Sequence, residues 1–337
     1  MRIACGPRQA RGDGRGAATF GGSPPTVVTR VSLAPEVGLM AVVLVWGINF
    51  AVIKVPLEVA PPFTVNLLRF AVSITVLGAL HVRQCRARGV STTVTFAAGP
   101  LRVVGLGLLG ILAYQAGFIL GVDRVSAGTA ALLIASSPGW TALTAHLLRH
   151  ERLLALGWIG IATSLVGVGL VVVGNPGAAF EGDGSGVVLM LVAALAWGVY
   201  TALARPLLQR GATALGLTYW GIIVSAPGLV ALAAPELGAV DWSRFGAAEV
   251  GAVVFSGGLS TGLAYAIWNQ SVLRAGASRT AAFSNLVPVV GVIAGVVLWG
   301  ETVTWLQVAG GLLIVVGVVV VRRRGVAPVE APTAVAD

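Results

Sequence analysis

Charge is scarce in this chain of 337 residues: Asp, Glu, Lys and Arg together make up 10% of it, against roughly 25% in an average soluble domain. That shortage argues against a soluble globular fold. Acids number only thirteen, and none falls in the middle third of an apolar stretch. This argues against intramembrane aspartyl proteolysis and against a proton relay through a buried carboxylate. Proton coupling would have to use boundary acids such as Glu58, Asp123 or Glu301, or the substrate itself. The two cysteines, Cys5 and Cys85, have neither metal-ligand spacing nor a redox partner. The histidines, His81, His146 and His150, form no HExxH signature. No phosphate-binding loop is present, so ATP is not the direct driver and no cofactor or metal is expected. Residues 1–35 hold Arg2, Arg8, Arg11, Arg15 and Arg30 among Gly, Pro and Ala. They lack the apolar stretch of a signal peptide and read as a disordered basic tail.

What remains is overwhelmingly apolar, with 56% hydrophobic residues and 46 glycines. A helix rising 1.5 Å per residue needs about 20 residues to cross roughly 30 Å of hydrocarbon. Ten stretches approach that length, at 37–57, 62–82, 101–121, 127–148, 153–174, 186–207, 214–234, 248–270, 276–299 and 303–321. Small residues such as glycine let helices approach closely in lipid. Despite a net charge of +9, the basic residues are scattered through short connections and form no nucleic-acid stripe. With the N-terminus inside, 18 of the 22 basic residues fall on cytoplasmic segments. Lys54, Arg124 and Arg244 are then outside and Arg69 lies within a span, as the positive-inside rule favours.

The two halves repeat each other. Val45-Trp46-Gly47 and Lys54 recur as Ala196-Trp197-Gly198 and Arg205, and Leu112-Ala113-Tyr114 as Leu263-Ala264-Tyr265, all at an offset of 151. Arg124, Pro138 and Glu151 recur as Arg274, Pro288 and Glu301 at an offset of 150. Five spans per copy is an odd number, so the second copy must enter the membrane from the opposite side. The expected fold is an all-α integral membrane protein of ten transmembrane helices in two inverted five-helix repeats, 36–176 and 186–322. A disordered cytoplasmic tail, 323–337, follows. Such symmetry supplies two nearly equivalent states around a midplane site, the geometry of alternating access.

The run Trp46-Gly47-Ile48-Asn49-Phe50-Ala51-Val52-Ile53-Lys54, then Pro61-Pro62-Phe63 and Leu68-Arg69-Phe70, resembles the opening helices of the EamA branch of the drug/metabolite transporter superfamily. Trp268-Asn269, Leu286-Val287-Pro288-Val289, Leu298-Trp299-Gly300-Glu301 and Gly310-Gly311 resemble its closing ones. The resemblance spans about residues 36 to 323. It implies a ten-helix carrier of a kind many of whose members export amino acids or related metabolites and some of which move drugs. With both termini cytoplasmic by the count of basic residues, the expected function is a secondary inner-membrane exporter, and the alternative is a membrane-embedded scaffold, sensor or lipid-modifying enzyme without transport. The resemblance also implies a small-molecule substrate and membrane lipids as partners, leaves a homodimer open, and implies no catalysis. Arg149-His150 precedes Glu151 where a Gly-Glu pair is common in the family.

Arg69 is a charge set seven residues into the second span. Its planar fork suits a substrate carboxylate or phosphate, while the alternative is snorkelling or bonding to a helix end. Asn49, Tyr114, Gln115, Tyr200, Tyr265, Asn269 and Asn285 complete a candidate polar site, with helix packing as the competing role for each. Several fall in spans that the resemblance places around the central cavity. Trp46 and Trp197 are candidate gating residues. Pro138 and Pro288, mid-span at matched positions, are candidate hinges, each removing a backbone hydrogen bond. Lys54 and Arg205 read as interfacial anchors, and Trp158, Trp242 and Trp305 as belt residues. Gly258-Leu259-Ser260-Thr261-Gly262 fits G-x-S-x-G, but an apolar helix is no nucleophile elbow.

Overall fold

A computed structural model of the chain describes residues 35–148, 151–174, 184–275, 280, 283–324 and 326–328. The basic N-terminal segment with Cys5, His150, the acids Glu181 and Asp183, Arg279, and everything beyond residue 328 lie outside the described residues, as do the side chains of Glu151 and Asn285. Among the described residues the fold is almost wholly helical. Six helices are long and apolar enough to cross a membrane: α1 (Val37–Leu57), α2 (Pro62–Arg88), α3 (Pro100–Arg124), α7 (Ser185–Gln209), α8 (Ala214–Ala233) and α9 (Ala247–Arg274). Between α3 and α7 lie α4 (Ala127–Ile134), α5 (Ser137–Leu147) and α6 (Ala155–Val173), and after α9 come α10 (Val287–Trp299) and α11 (Trp305–Arg324).

Local chemistry fixes the ends. Prolines stand in the first turn of α2, where a missing N–H costs nothing, and Gly89 closes that helix at φ +63°, a conformation glycine adopts without a Cβ clash. Helix α2 therefore continues to Arg88, six residues beyond its expected span and into the expected 83–100 loop. The Ser126 hydroxyl caps α4 by accepting from the Thr129 N–H, and Thr213 caps α8 through the Gly216 N–H. Two short strands, Glu151–Leu153 and Val326–Pro328, pair antiparallel. The second lies within the segment expected to be a C-terminal tail, and the pair is a small departure from the all-α expectation.

The fourth and ninth expected spans are broken rather than kinked. Helix α4 ends at Ala135, and α5 restarts at Ser137 with Pro138 in its first turn. The turn Ser284–Leu286 likewise precedes α10, whose first turn holds Pro288. Both prolines occupy a position where the helix has no N–H to lose. In α3 and α9 the backbone widens into π-helix at Leu108–Ala113 and Phe255–Leu263, immediately before the matched residues Tyr114 and Tyr265.

Contacts between the halves are reciprocal. A Cβ placed on Gly160 of α6 would fall 2.6 Å from the Gly317 carbonyl of α11, and one on Gly167 would fall 2.5 Å from the Gly310 carbonyl. Gly160 corresponds to Gly310 in the repeat and Gly167 to Gly317. Rising along one helix is therefore descending along its counterpart, and the two run antiparallel. A Cβ placed on Gly47 of α1 would fall 3.1 Å from the Gly291 nitrogen of α10, and one on its counterpart Gly198 of α7 would fall 2.9 Å from the Thr141 nitrogen of α5. Residues in one half thus meet the counterparts of the residues that meet them, the signature of a pseudo-two-fold axis.

Candidate functional site

Where α1, α2, α3 and α9 converge with the breaks before α5 and α10, the packing opens into a partly enclosed cavity. Asn49, Arg69, Tyr114, Gln115 and Tyr265 line it, as do Trp46, Trp197 and Pro288 among the expected gating and hinge residues. Pro138 does not, though its neighbour Ser137 does. Trp158, Trp242 and Trp305 are exposed on the outside of the bundle.

Arg69 is the centre of the polar wall and is only 1% exposed. Its Nη1 donates to Asn66 Oδ1 (2.9 Å) and Gln115 Oε1 (3.3 Å), and Nη2 donates to Thr261 Oγ1 (2.8 Å). Gln115 Nε2 in turn donates to the Tyr265 hydroxyl at 2.9 Å. The guanidinium lies 5.7 Å from the Phe118 ring centre. Among the described residues every hydrogen-bond partner of Arg69 is neutral, and its Nε has none. A guanidinium at bilayer depth costs about 2.5–3.5 kcal/mol on insertion scales. Three neutral hydrogen bonds at about 0.6 kcal/mol each offset only part of that. An anion is the chemistry that would complete the balance.

The aromatic wall is self-supporting. Trp46 Nε1 donates to the Ser260 carbonyl at 3.0 Å, a bond that ties α1 to the widened turn of α9. Its ring contacts Trp197 edge-on (5.5 Å) and Trp268 (5.0 Å), and Trp197 stacks on Tyr200 (5.2 Å). The π-helical widening is what brings Ser260 and Thr261 to this wall, since both belong to the Phe255–Leu263 segment.

Two expected site residues point elsewhere. Asn269 Nδ2 donates to the Tyr200 hydroxyl (2.8 Å) and to Thr218 Oγ1 (2.9 Å), and neither Asn269 nor Tyr200 lines the cavity. Tyr200, the repeat counterpart of Asn49 at the offset of 151, is instead held with Asn269 and Thr218 in a buried triad. Asn285 sits in the turn before α10, with its side chain outside the described residues. Of the boundary acids, Glu301 is engaged structurally: its carboxylate accepts from the N–H groups of Ala127 (2.6 Å) and Gly128 (2.9 Å) at the start of α4. Lys54 is half-buried and Arg205 exposed.

Sequence reasoning overlooked Asn66, Thr261, Ser137 and Ser260. Asn66 stood three residues before Arg69, the spacing that places two side chains on one helix face, and so could have been found. Thr261 was hidden inside the dismissed G-x-S-x-G stretch.

The profile of the EamA-like transporter family matches residues 34–173 and again 184–323, one copy per half. The chain belongs to the EamA-like transporter family. Its apolar helices and that membership make it a multi-pass membrane protein. Several relatives are named as transporters, exporters or efflux pumps. An uncharacterized transporter of Archaeoglobus fulgidus is 27% identical over 85% of this chain and 98% of its own length. A protein of Streptantibioticus cattleyicolor named "Probable terminal-alkyne amino-acid exporter" is 29% identical over 85% of this chain and 92% of its own. Another, of Salmonella typhimurium, is named "Probable amino-acid metabolite efflux pump" and is 28% identical over 82% and 91%. A solved crystal structure shares the fold with a TM-score of 0.61 at 22% identity, covering 86% of this chain and 98% of that one.

Proposed function

We propose that this EamA-like protein is a secondary carrier that exports small carboxylate-bearing metabolites, amino acids or related compounds, across the inner membrane. The observation that carries the reading is Arg69, a buried guanidinium whose hydrogen bonds all go to neutral groups, on the wall of a cavity between the two repeats. Asn49, Gln115, Thr261 and Tyr265 complete the binding wall, and Trp46 and Trp197 close over it.

In this reading the chain crosses the membrane ten times, with α4 and α5 together forming one crossing and both termini in the cytoplasm. The antiparallel contact of α6 with α11 supports an inverted arrangement. Two inverted units pass from one facing state to the other by rocking about the shared site. The helix breaks before Pro138 and Pro288 are where that motion is absorbed, because a chain already free of its i→i−4 bonds bends cheaply. Export rather than import follows the names of the Streptantibioticus and Salmonella relatives. A scaffold or sensor without transport would favour a sealed core, which the cavity opposes.

The test is counterflow in proteoliposomes holding the purified full chain, with a panel of labelled carboxylates. Saturable exchange above protein-free vesicles is expected for at least one. A panel in which no solute moves would sink the carrier reading.

A further inference from the structure

The polar inventory of the cavity narrows the substrate further, resting on the reading of this cavity as the transport site. Among the described residues that line it, Arg69 is the sole formally charged one, and it is permanently cationic. No described Asp, Glu, His or Lys faces the same space. Three of the five guanidinium N–H groups go to Asn66, Gln115 and Thr261. What remains is Nε–H and one N–H on Nη2, the two nitrogens that meet a carboxylate side-on.

A zwitterionic amino acid brings an ammonium as well as a carboxylate. Without an acid in the wall, the ammonium would be left uncompensated near a like charge, which is costly away from water. The aromatic faces offer it little. Trp197 is stacked on Tyr200, and Trp46 is packed between Trp197, Tyr265 and Trp268. Among the described lining residues one further buried side-chain atom is unsatisfied: Asn49 Oδ1, in a residue 3% exposed, accepts no hydrogen bond. An amide oxygen calls for one donor and carries no net charge. Phe50, Phe118 and Ile134 make the rest of the wall apolar.

We infer that the site selects a monoanionic carboxylate with an apolar body and a neutral hydrogen-bond donor beside the carboxylate, an acylated amine or a hydroxyl, in preference to the zwitterionic amino acid of the same skeleton. Arg69 takes the carboxylate and Asn49 Oδ1 takes the N–H or O–H. Substrate charge is then matched one to one by the protein, and the loaded cavity is neutral.

The experiment is titration of the full chain in lipid nanodiscs with N-acetylphenylalanine, phenyllactate and phenylalanine at neutral pH. The first two are expected to bind at least about ten-fold more tightly than phenylalanine, because only phenylalanine brings an unpaired charge. An Asn49→Asp variant supplies the missing acid and should reverse the order, a gain of phenylalanine binding that a misfolded protein would not show. Equal or tighter binding of phenylalanine to the unaltered protein, failure of all three to bind, or an unchanged order in Asn49→Asp overturns the inference. Counterflow with the same three compounds separates the two claims. Movement of phenylalanine alone overturns the selectivity and leaves the carrier standing. Selective binding without any movement overturns the carrier and leaves the selectivity.

Discussion

Ser73 and Ser225, 152 residues apart, make the same pair of contacts in the two repeats, which sets the local offset of α2 on α8 one residue above that of the flanking landmarks. Ser73 Oγ lies 2.9 Å from the Arg69 carbonyl one turn back and 2.6 Å from the Gly257 carbonyl of α9. Ser225 Oγ lies 2.7 Å from the Gly221 carbonyl and 3.0 Å from the Gly107 carbonyl of α3. Arg69 therefore stands where the second repeat has Gly221, and Gly257 where the first has Gly107. The backbone is symmetric at this crossing while the side chains are not. One repeat supplies a cation beside the cavity, and the other packs backbone on backbone.

That asymmetry makes Arg69 the sharpest point of attack. Arg69→Lys keeps the charge but replaces a planar fork by a point charge that cannot reach Asn66, Gln115 and Thr261 together. Transport efficiency in proteoliposomes should fall by about 10- to 100-fold. Near-normal counterflow by Arg69→Lys would mean that the guanidinium geometry does not hold the substrate.

Asn269 should behave differently. Substitution by Leu removes the bonds that tie α9 to Tyr200 and Thr218 and leaves both hydroxyls short of a partner, a cost of about 1–3 kcal/mol. A lower Tm in detergent with KM within about two-fold of the unaltered protein is expected. A large rise in KM at unchanged Tm would put Asn269 back in the binding wall.

Much of this was legible in the sequence because hydrophobic length and repeated landmarks are one-dimensional signals. Trp46 with Trp197, Tyr114 with Tyr265 and Pro138 with Pro288 announced the duplication, and Arg69 announced itself as a charge among apolar neighbours. What escaped depends on backbone geometry. Nothing in Leu108–Ala113 or Phe255–Leu263 marks a π-helical turn, and that widening is what delivers Thr261 to Arg69. Pro138 and Pro288 read as mid-helix kinks because a proline cannot say whether the helix bends through it or restarts at it. Asn49 and Asn269 are the same residue type at similar depth, so only packing separates the one beside the cavity from the one consumed by the fold.

The glycine crossing gives a stability test with an internal control. In α6, a Cβ on Gly167 would press on the Gly310 carbonyl (2.5 Å) and the Ile314 N–H (2.7 Å), whereas one on Gly169 meets nothing within 4 Å. Backbone cannot rotate away as a side chain can. Gly167→Ala should lose about 1–3 kcal/mol by overpacking, and Gly169→Ala should stay within about 0.5 kcal/mol. Equal Tm values for the two variants would refute close contact between α6 and α11.

Glu301, in the connection between α10 and α11, ties that connection to the start of α4 by accepting from two amides that have no partner within their own helix. Glu301→Ala should cost about 0.5–2 kcal/mol, the range for losing a helix cap, and Glu301→Gln less, since it keeps one acceptor. Thermal unfolding of both variants checks the order, and a fully stable Glu301→Ala would remove the cap from the account of how the halves are joined.

Sidedness decides whether the pseudo-two-fold axis lies in the membrane plane. Gly160 crosses Gly317 and Gly167 crosses Gly310, so α6 and α11, equivalent helices of the two repeats, run antiparallel, and in the proposed ten-crossing arrangement they enter lipid from opposite faces. The segment after α6, residues 175–185, and the segment after α11 must then emerge on opposite sides. Reporter fusions should be active outside the cell at 175–185 and inside it at the C-terminus, where the positive-inside rule places Arg322, Arg323 and Arg324. Both reporters on one side would make the repeats parallel, and rocking about a midplane site would no longer exchange one opening for the other.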